Sequence, residues 1–422
     1  MRLDELHALF EPGVLALIDA HADDDPAEFA MKFHGRKELP VRAISEQIAC
    51  RRKAAGKLPS LSRYPLLYTK LALEQASGER AADWKSGLMS GRRMLDLTGG
   101  LGIDTIFFAR SFDHVVYCER DEVLAEMAER NRQVLAIWNV ETRRGASEEI
   151  LGGYPDDAFD WIYVDPARRE AKGRSVGLEA SSPDVVRLHD LMLRKAPRIC
   201  IKASPAIESE GLQGKLPALR SIVVVSVGGE CKEVLLFLER GRTADHPPSV
   251  RAVCIDDGVF SISSRDDEPS ERAVAHGPGR WLYEPDPAII KARLSTELAA
   301  ALGLEFLNAS VDYLTSDRFV VAFPGRSFRI ESCLPFKPKT FRGELSRLGI
   351  TGAAIQRRDF PLSPEQLRQQ FRIKEGSEVF LFFTRDASGA MVWLSCRKPQ
   401  LSPDCATGGA PAGPCRSAGP GC

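Results

Sequence analysis

No stretch of this chain is long and apolar enough to read as a membrane span or an export signal. That argues against a membrane-embedded protein and leads us to expect a soluble one working in the cytoplasm. Net charge is nearly absent too: 57 Lys and Arg stand against 58 Asp and Glu, a balance of −1. A global field drawing the whole molecule to nucleic acid is thereby excluded, and any basic surface has to be local. The ten cysteines are scattered, with no C-x-x-C pair and no Cys/His cluster at zinc spacing, so no metal site is expected. Cys118, Cys200 and Cys254 lie in apolar runs, where a reduced thiol packs as a small core residue. What remains is ordinary globular material: 422 residues, 44% hydrophobic and 27% charged, enough for two to four domains.

The chain is organised around Arg93–Gly102. Met94, Leu95 and Leu97 around Asp96 read as a short buried strand with one carboxylate near its end. Gly99, Gly100 and Gly102 follow, and Ile103–Ala109 opens an apolar helical run containing Asp104 and Thr105. A strand, a glycine bend and a helix start bring free N–H groups and a positive dipole end to one spot. The next strand, Val115–Cys118, ends in Glu119. An acidic residue about 20 positions after a glycine loop is placed to accept hydrogen bonds from two ribose hydroxyls. The loop lacks the Gly-x-Gly-x-x-Gly pyrophosphate fingerprint, and Asp96 suits a cationic or amino-bearing ligand better than a pyrophosphate.

Leu95-Asp96-Leu97-Thr98-Gly99-Gly100-Leu101-Gly102 resembles the first motif of class I S-adenosylmethionine (SAM)-dependent methyltransferases, with Thr98 where the family usually has glycine. The resemblance implies that Asp96 and the Gly100–Gly102 backbone hold the methionyl part of SAM and that Glu119 holds its ribose. Gly145, Ala146 and Ser147 stand where the family's third motif faces the adenine. Thr98, Asp104 and Thr105 are counted with the cofactor site. Leu71–Lys85 resembles the strip that precedes the catalytic domain of several RNA-modifying methyltransferases, so Gln75 and Ser77 are expected to form a flap over the ligand.

Phe159–Val164 reads as an apolar strand delivering Asp165-Pro166 at its carboxyl end, where ligands bind in open α/β sheets. Methyltransferases acting on exocyclic amines use an acidic or amide residue, Pro-Pro and an aromatic. Here Ala167 replaces the second proline and Arg168 the aromatic, and a guanidinium can stack on a base or bind phosphate. Asp165, Pro166 and Arg168 are thus the expected catalytic residues. Arg169, Lys172 and Arg174 extend a basic loop. Asp165-Pro166-x-Arg168 is also similar to the motif of enzymes that methylate C5 of uridine, but Ala203 stands about where their nucleophilic cysteine would be, and Cys200 should be buried.

Ser221–Val227 and Lys232–Leu238 read as a closing antiparallel hairpin, the seven-stranded ending of a class I methyltransferase sheet. The expected architecture is α/β. A helical region spans 1–70, a doubly wound Rossmann-like methyltransferase domain 71–242 and a ferredoxin-like α+β module 250–325. A further α+β unit spans 326–398, and a Pro/Gly/Ser-rich disordered tail 399–422. Between Arg326 and Glu375, 11 Lys/Arg face 5 Asp/Glu. Lys337, Lys339, Arg342, Arg357 and Arg358, beside Phe336 and Phe341, are expected to touch RNA.

From about Ile44 to Arg397 the chain resembles a bacterial family of class I methyltransferases with a C-terminal THUMP-like domain. The carriers include Ile44–Ala49, Glu74–Ser77, Asp96–Gly102, Asp165–Arg169, Lys202–Pro205, Trp281–Pro285 and Phe323–Arg326. The resemblance implies SAM as cofactor and an RNA substrate. Two other classes stay open at this point: a methyltransferase-fold RNA-binding protein without activity, motivated by the altered Asp-Pro-Ala-Arg, and a nicotinamide oxidoreductase.

Overall fold

The structure is a computed structural model and describes residues 1–168, 177–264 and 271–399. The chain divides into two compact units: Met1–Pro269 with Asp286–Glu297, and Ser270–Pro285 with Leu298–Cys422.

The first unit is built on β1 (Gly91–Asp96), β2 (Phe112–Glu119), β3 (Val140–Arg144) and β4 (Trp161–Val164), followed by the short β5 (Ala167–Arg168) and β6 (Ser181–Ser182). Then come β7 (Arg198–Ala203), β8 (Leu219–Val227), β9 (Glu230–Glu239), β10 (Ser249–Ile255) and β11 (Val259–Ser263). All except the β5–β6 pair form one sheet in the order β11-β10-β8-β9-β7-β4-β1-β2-β3. The β3-β2-β1-β4-β7 half is parallel, and β9 runs antiparallel between β7 and β8. Strands buried on both faces read as unbroken apolar runs, as the fully buried Trp161–Val164 does. The parallel half aims its carboxyl ends, at Asp96, Glu119 and Val164, toward one edge.

The expected sheet had seven strands; the observed one has nine. β10 and β11, assigned by sequence to a module beginning at 250, extend this sheet instead. β10 runs parallel to β8, with Val253 opposite Val225. The reason is that β8 is buried from Ile222 to Ser226 and needs a partner on its outer edge, which the buried run Ala252–Ile255 supplies. Nor is the 1–70 region separate. Leu6, Ile18, Phe29, Ile44 and Ile48 share one core with Ile106, Phe107 and Met127 from helices that flank the sheet. This region opens with two helices, Leu3–Leu9 and Pro12–Ala20, because Pro12 starts the second.

The second unit holds β12 (Trp281–Pro285), β13 (Glu305–Phe306), β14 (Leu314–Ser316), β15 (Gly325–Pro335), β16 (Ala354–Arg357), β17 (Val379–Arg385) and β18 (Met391–Arg397). They form one sheet ordered β13-β14-β12-β15-β18-β17-β16. The two modules expected at 250–325 and 326–398 are therefore joined: β12 pairs antiparallel with β15, Leu282 opposite Phe328. Phe319–Phe323 is irregular despite its apolar composition, and the strand of this segment lies earlier, at β14. The helices Pro338–Arg347 and Pro364–Phe371 pack Phe341, Leu345, Leu367 and Phe371 against Phe383 and Trp393. Most of the expected basic loop (Arg169, Lys172, Arg174) and the tail from 400 fall outside the described residues.

Candidate active site

At the carboxyl edge of the parallel half, the bend Thr98–Gly102 is locked to the tip of β2. Glu119 accepts a hydrogen bond from the Gly100 N–H through Oε2 at 2.8 Å, and from the Arg120 and Asp121 N–H groups through Oε1, both at 2.8 Å. The buried Tyr117 ring lies under the bend, and its hydroxyl donates to the Gly100 carbonyl at 2.5 Å. A Cβ on Gly99 would stand 2.0 Å from that ring, so only glycine lets the main chain pass. Gly102, at φ +79°, turns the chain into the helix Ile103–Phe108.

Asp96 is 1% exposed. Its Oδ2 accepts from the Thr105 hydroxyl at 2.5 Å and its Oδ1 from the Thr98 N–H at 3.1 Å. Burial outweighs these bonds and pushes the carboxyl up to about 7. Thr98 also reaches across to the next strand end: its Oγ1 accepts the Asp165 N–H at 2.6 Å. The side chain that departs from the family's glycine thus ties the bend to β4.

These groups border a cleft of about 330 Å³. Of the residues singled out from sequence, Gln75, Ser77, Asp96, Thr98, Gly100, Asp104, Glu119, Ala146, Ser147 and Asp165 line it. Gly102, Thr105 and Pro166 do not: Gly102 caps the helix, Thr105 is buried behind Asp96, and Pro166 follows the lining Asp165. Arg168 has its backbone in β5, opposite Ser181. Ser147 donates to the Leu97 carbonyl at 2.7 Å, and Gly145 N–H bonds the Glu119 carbonyl at 3.1 Å, which folds the third loop onto the first two.

Behind the cleft is a group of charges that sequence reasoning missed. Lys85 is fully buried, with its Nζ 3.0 Å from Asp104 Oδ1 and 3.1 Å from Glu233 Oε2. It also donates to Tyr163 Oη at 3.2 Å and Ser77 Oγ at 3.3 Å. Asp104 Oδ2 accepts from both the Ser77 and Tyr163 hydroxyls at 2.8 Å. Lys202 donates to Ser77 Oγ at 3.1 Å and to Asp165 Oδ2 at 2.5 Å. Burial works against charge here, yet Lys85 and Lys202 hold Asp104 down at about 2. Glu233 is pushed up because its own burial outweighs Lys85. Ser77 is consequently a hub of this lattice more than a flap residue. A signal for Lys85 existed: it falls on the helix face that also buries Ala81 and Ala82. Lys202 and Glu233 offered only a charge within an apolar strand.

Two outcomes follow. Gly99→Ala should cost roughly 1–3 kcal/mol, the range for overpacking, and urea denaturation reads it. For Asp96 the folded-state value lies above the ordinary 3.8, so stability is full below about pH 4 and is lost as pH rises toward 7. Asp96→Asn should therefore unfold less readily than the wild type at pH 8, by up to roughly 4 kcal/mol, with the gap closing by pH 4. A gap that does not change with pH would refute the assignment.

The comparisons with known proteins agree with this architecture. Residues 325–398 match the family model described as THUMP domain-like. A Mycobacterium tuberculosis protein described as an uncharacterized S-adenosylmethionine-dependent methyltransferase is 28% identical over 352 residues, covering 82% of this chain and 94% of its own. A crystal structure from Porphyromonas gingivalis W83, described as a candidate methyltransferase, superposes with a TM-score of 0.82 at 28% identity, covering 95% of this chain and 100% of that one. A 23S rRNA uracil-C5 methyltransferase of Cronobacter sakazakii is 34% identical over 104 residues, 24% of either chain. Together with the carboxylate-flanked glycine bend at the sheet edge, these relationships show a SAM-dependent methyltransferase with a THUMP-like domain at residues 325–398.

Proposed function

We propose that the protein, working in the cytoplasm, methylates an exocyclic base amine of RNA by direct transfer from SAM. The observation that carries this reading is Asp165: a lysine-held carboxylate in the same cleft as Asp96 and Glu119. The residues present fit the cofactor. The cleft volume sits at the lower end of the ~300–1,000 Å³ usual for ligand pockets. Asp96 is a buried carboxylate that a ligand ammonium would relieve, and Gly99 removes the side chain that would block the main chain.

Asp96 and the Gly100 backbone would hold the amino-acid end, Glu119 the ribose hydroxyls, and Ala146 and Ser147 the adenine. Bound SAM supplies a methyl group activated on a sulfonium. Asp165 accepts a hydrogen bond from the target amine and turns its lone pair toward that methyl. Most of the rate in such a site comes from positioning. Uracil C5 chemistry, the activity named for one partial relative, needs a thiolate. Among the described residues the cysteine lining the cleft is Cys118, which is buried and whose thiol burial pushes up. Cys200 is buried likewise.

RNA binding falls to the second unit, with a changed set of residues. Phe336 and Phe341 are 7% and 0% exposed and belong to the core, so they are not stacking platforms. Phe341 and Leu345, four apart on the helix, face inward together, and Phe336, just before it, packs on Phe341, Phe360 and Phe383. Arg358 is bound to Glu284 at 3.1 Å, and Arg357 donates to the Phe360 carbonyl at 2.8 Å. Lys337, Lys339, Arg342 and Arg347, at or on the outer face of the helix Pro338–Arg347, are exposed and form the cationic strip that suits a phosphate backbone. Among the described residues there is no cluster of His, Cys, Asp and Glu that could hold a metal ion, and no helix long and apolar enough to cross a membrane.

Asp165→Ala should cut transfer to a small residual rate and leave SAM affinity within a few-fold, whereas Glu119→Ala should weaken SAM binding about tenfold or more, the size expected for losing a charged hydrogen-bond acceptor. Calorimetric titration and a transfer assay on total RNA from a strain lacking the gene separate the two. Equal loss of binding and transfer in the Asp165 variant would sink the assignment. Replacing Lys337, Lys339 and Arg342 together with glutamine should flatten the salt dependence of RNA affinity by about two to three units of slope, read by filter binding across a salt series. An unchanged slope would move the RNA surface elsewhere.

A further inference from the structure

We infer that Lys202 is the positioning residue of the reaction, acting on the target only through Asp165. The inference rests on the catalytic reading of Asp165 and deepens it.

The fold puts the two residues side by side. β4 and β7 run parallel with Val164 opposite Ile201, so the residues that follow them, Asp165 and Lys202, sit together at adjacent strand positions. Lys202 Nζ lies 2.5 Å from Asp165 Oδ2, and its side chain is only 12% exposed against 36% for Asp165. Lys202 is not among the residues lining the cleft, whereas Asp165 is. The ammonium therefore meets the carboxylate from behind, and the carboxylate meets the cleft.

A lysine stem has four rotatable bonds, and an ammonium on it holds a carboxylate in place only if the ammonium itself is held. Here it is. Ser77 Oγ takes a second N–H of Lys202 at 3.1 Å, and Asp104 Oδ2 stands 3.9 Å away. Ser77 and Asp104 are in turn fixed by the fully buried Lys85, whose remaining ion partner is Glu233. On the backbone side, Thr98 Oγ1 pins the Asp165 N–H. Asp165 is thus clamped at two points, by its main chain and by one carboxylate oxygen, which fixes the plane in which it can accept a hydrogen bond from an amine. A carboxylate free to rotate would bind the same base with its lone pair astray, a loss that falls on turnover more than on binding.

The test uses the full-length chain with Lys202→Met, Lys202→Arg, Asp165→Ala and the Lys202→Met/Asp165→Ala double variant. It measures kcat, KM for total RNA from a strain lacking the gene, SAM affinity by calorimetry, and the melting temperature. Lys202→Met should lower kcat at least 30-fold while KM and SAM affinity change less than threefold. Lys202→Arg should recover part of the loss. The double variant should be no slower than Asp165→Ala, because each lysine effect passes through the carboxylate. A Lys202→Met defect that appears in SAM affinity or in melting with kcat intact would overturn the inference, as would double-variant losses that multiply. An Asp165→Ala variant with full activity would instead overturn the catalytic reading beneath it, a result distinguishable because Lys202 is then silent on kcat as well.

Discussion

The cleft depends on one buried ammonium. Lys85, carried by the helix Glu79–Ser86, meets Asp104 from the helix after the glycine bend, Glu233 from β9 and Tyr163 from β4. Taking charges out of water costs several kcal/mol per ion, and only dense pairing offsets it. Lys85 has that density, with two carboxylates and two hydroxyls within 3.3 Å. Removing a partner from such a group costs about 3–5 kcal/mol, so four elements are held in one relative arrangement. That arrangement places Ser77, then Lys202, then Asp165.

The parts that were legible in the sequence are those whose signal is local. Asp96, the glycines and Glu119 lie within two adjacent strands and one bend, and their spacing already describes the strand–turn–helix geometry. The charge lattice is the opposite case. Lys85 and Glu233 are 148 positions apart, and Lys202 and Ser77 125 apart. No window of sequence shows that they meet. Each one looks like a charge at the end of, or inside, an apolar element, a pattern that solvated surface lysines share. The extra strands were missed for a related reason. The apolar run Ala252–Ile255 predicts a strand without naming its partner, and it is the buried edge of β8 that decides. Phe341 differs, because the helical period it shares with Leu345 marks it as a core residue, whereas Phe336 precedes the helix and is buried by packing on Phe341, Phe360 and Phe383.

Thr98 shows how a departure from a family pattern acquires meaning in the fold. A glycine at that position would leave the partly buried Asp165 N–H without its 2.6 Å acceptor. A polar group left unpaired there costs about 1–3 kcal/mol. The hydroxyl removes that cost and joins the glycine bend to the end of β4, so that a shift in one is felt by the other.

Asp96 carries the complementary argument. Its carboxyl, pushed up to about 7, is destabilised near neutral pH, and its two hydrogen bonds from Thr98 and Thr105 do not repair the loss. A buried group kept in an unfavourable state is retained when something outside the chain relieves it. A ligand ammonium does so by pairing the charge, and it binds more tightly for having been withheld from water. A neutral ligand offers the same carboxylate a hydrogen bond at most, without the opposite charge. Under the proposed reading the acid would select for a cationic guest at the glycine bend, with the burial cost already met in the folded chain before any ligand arrives.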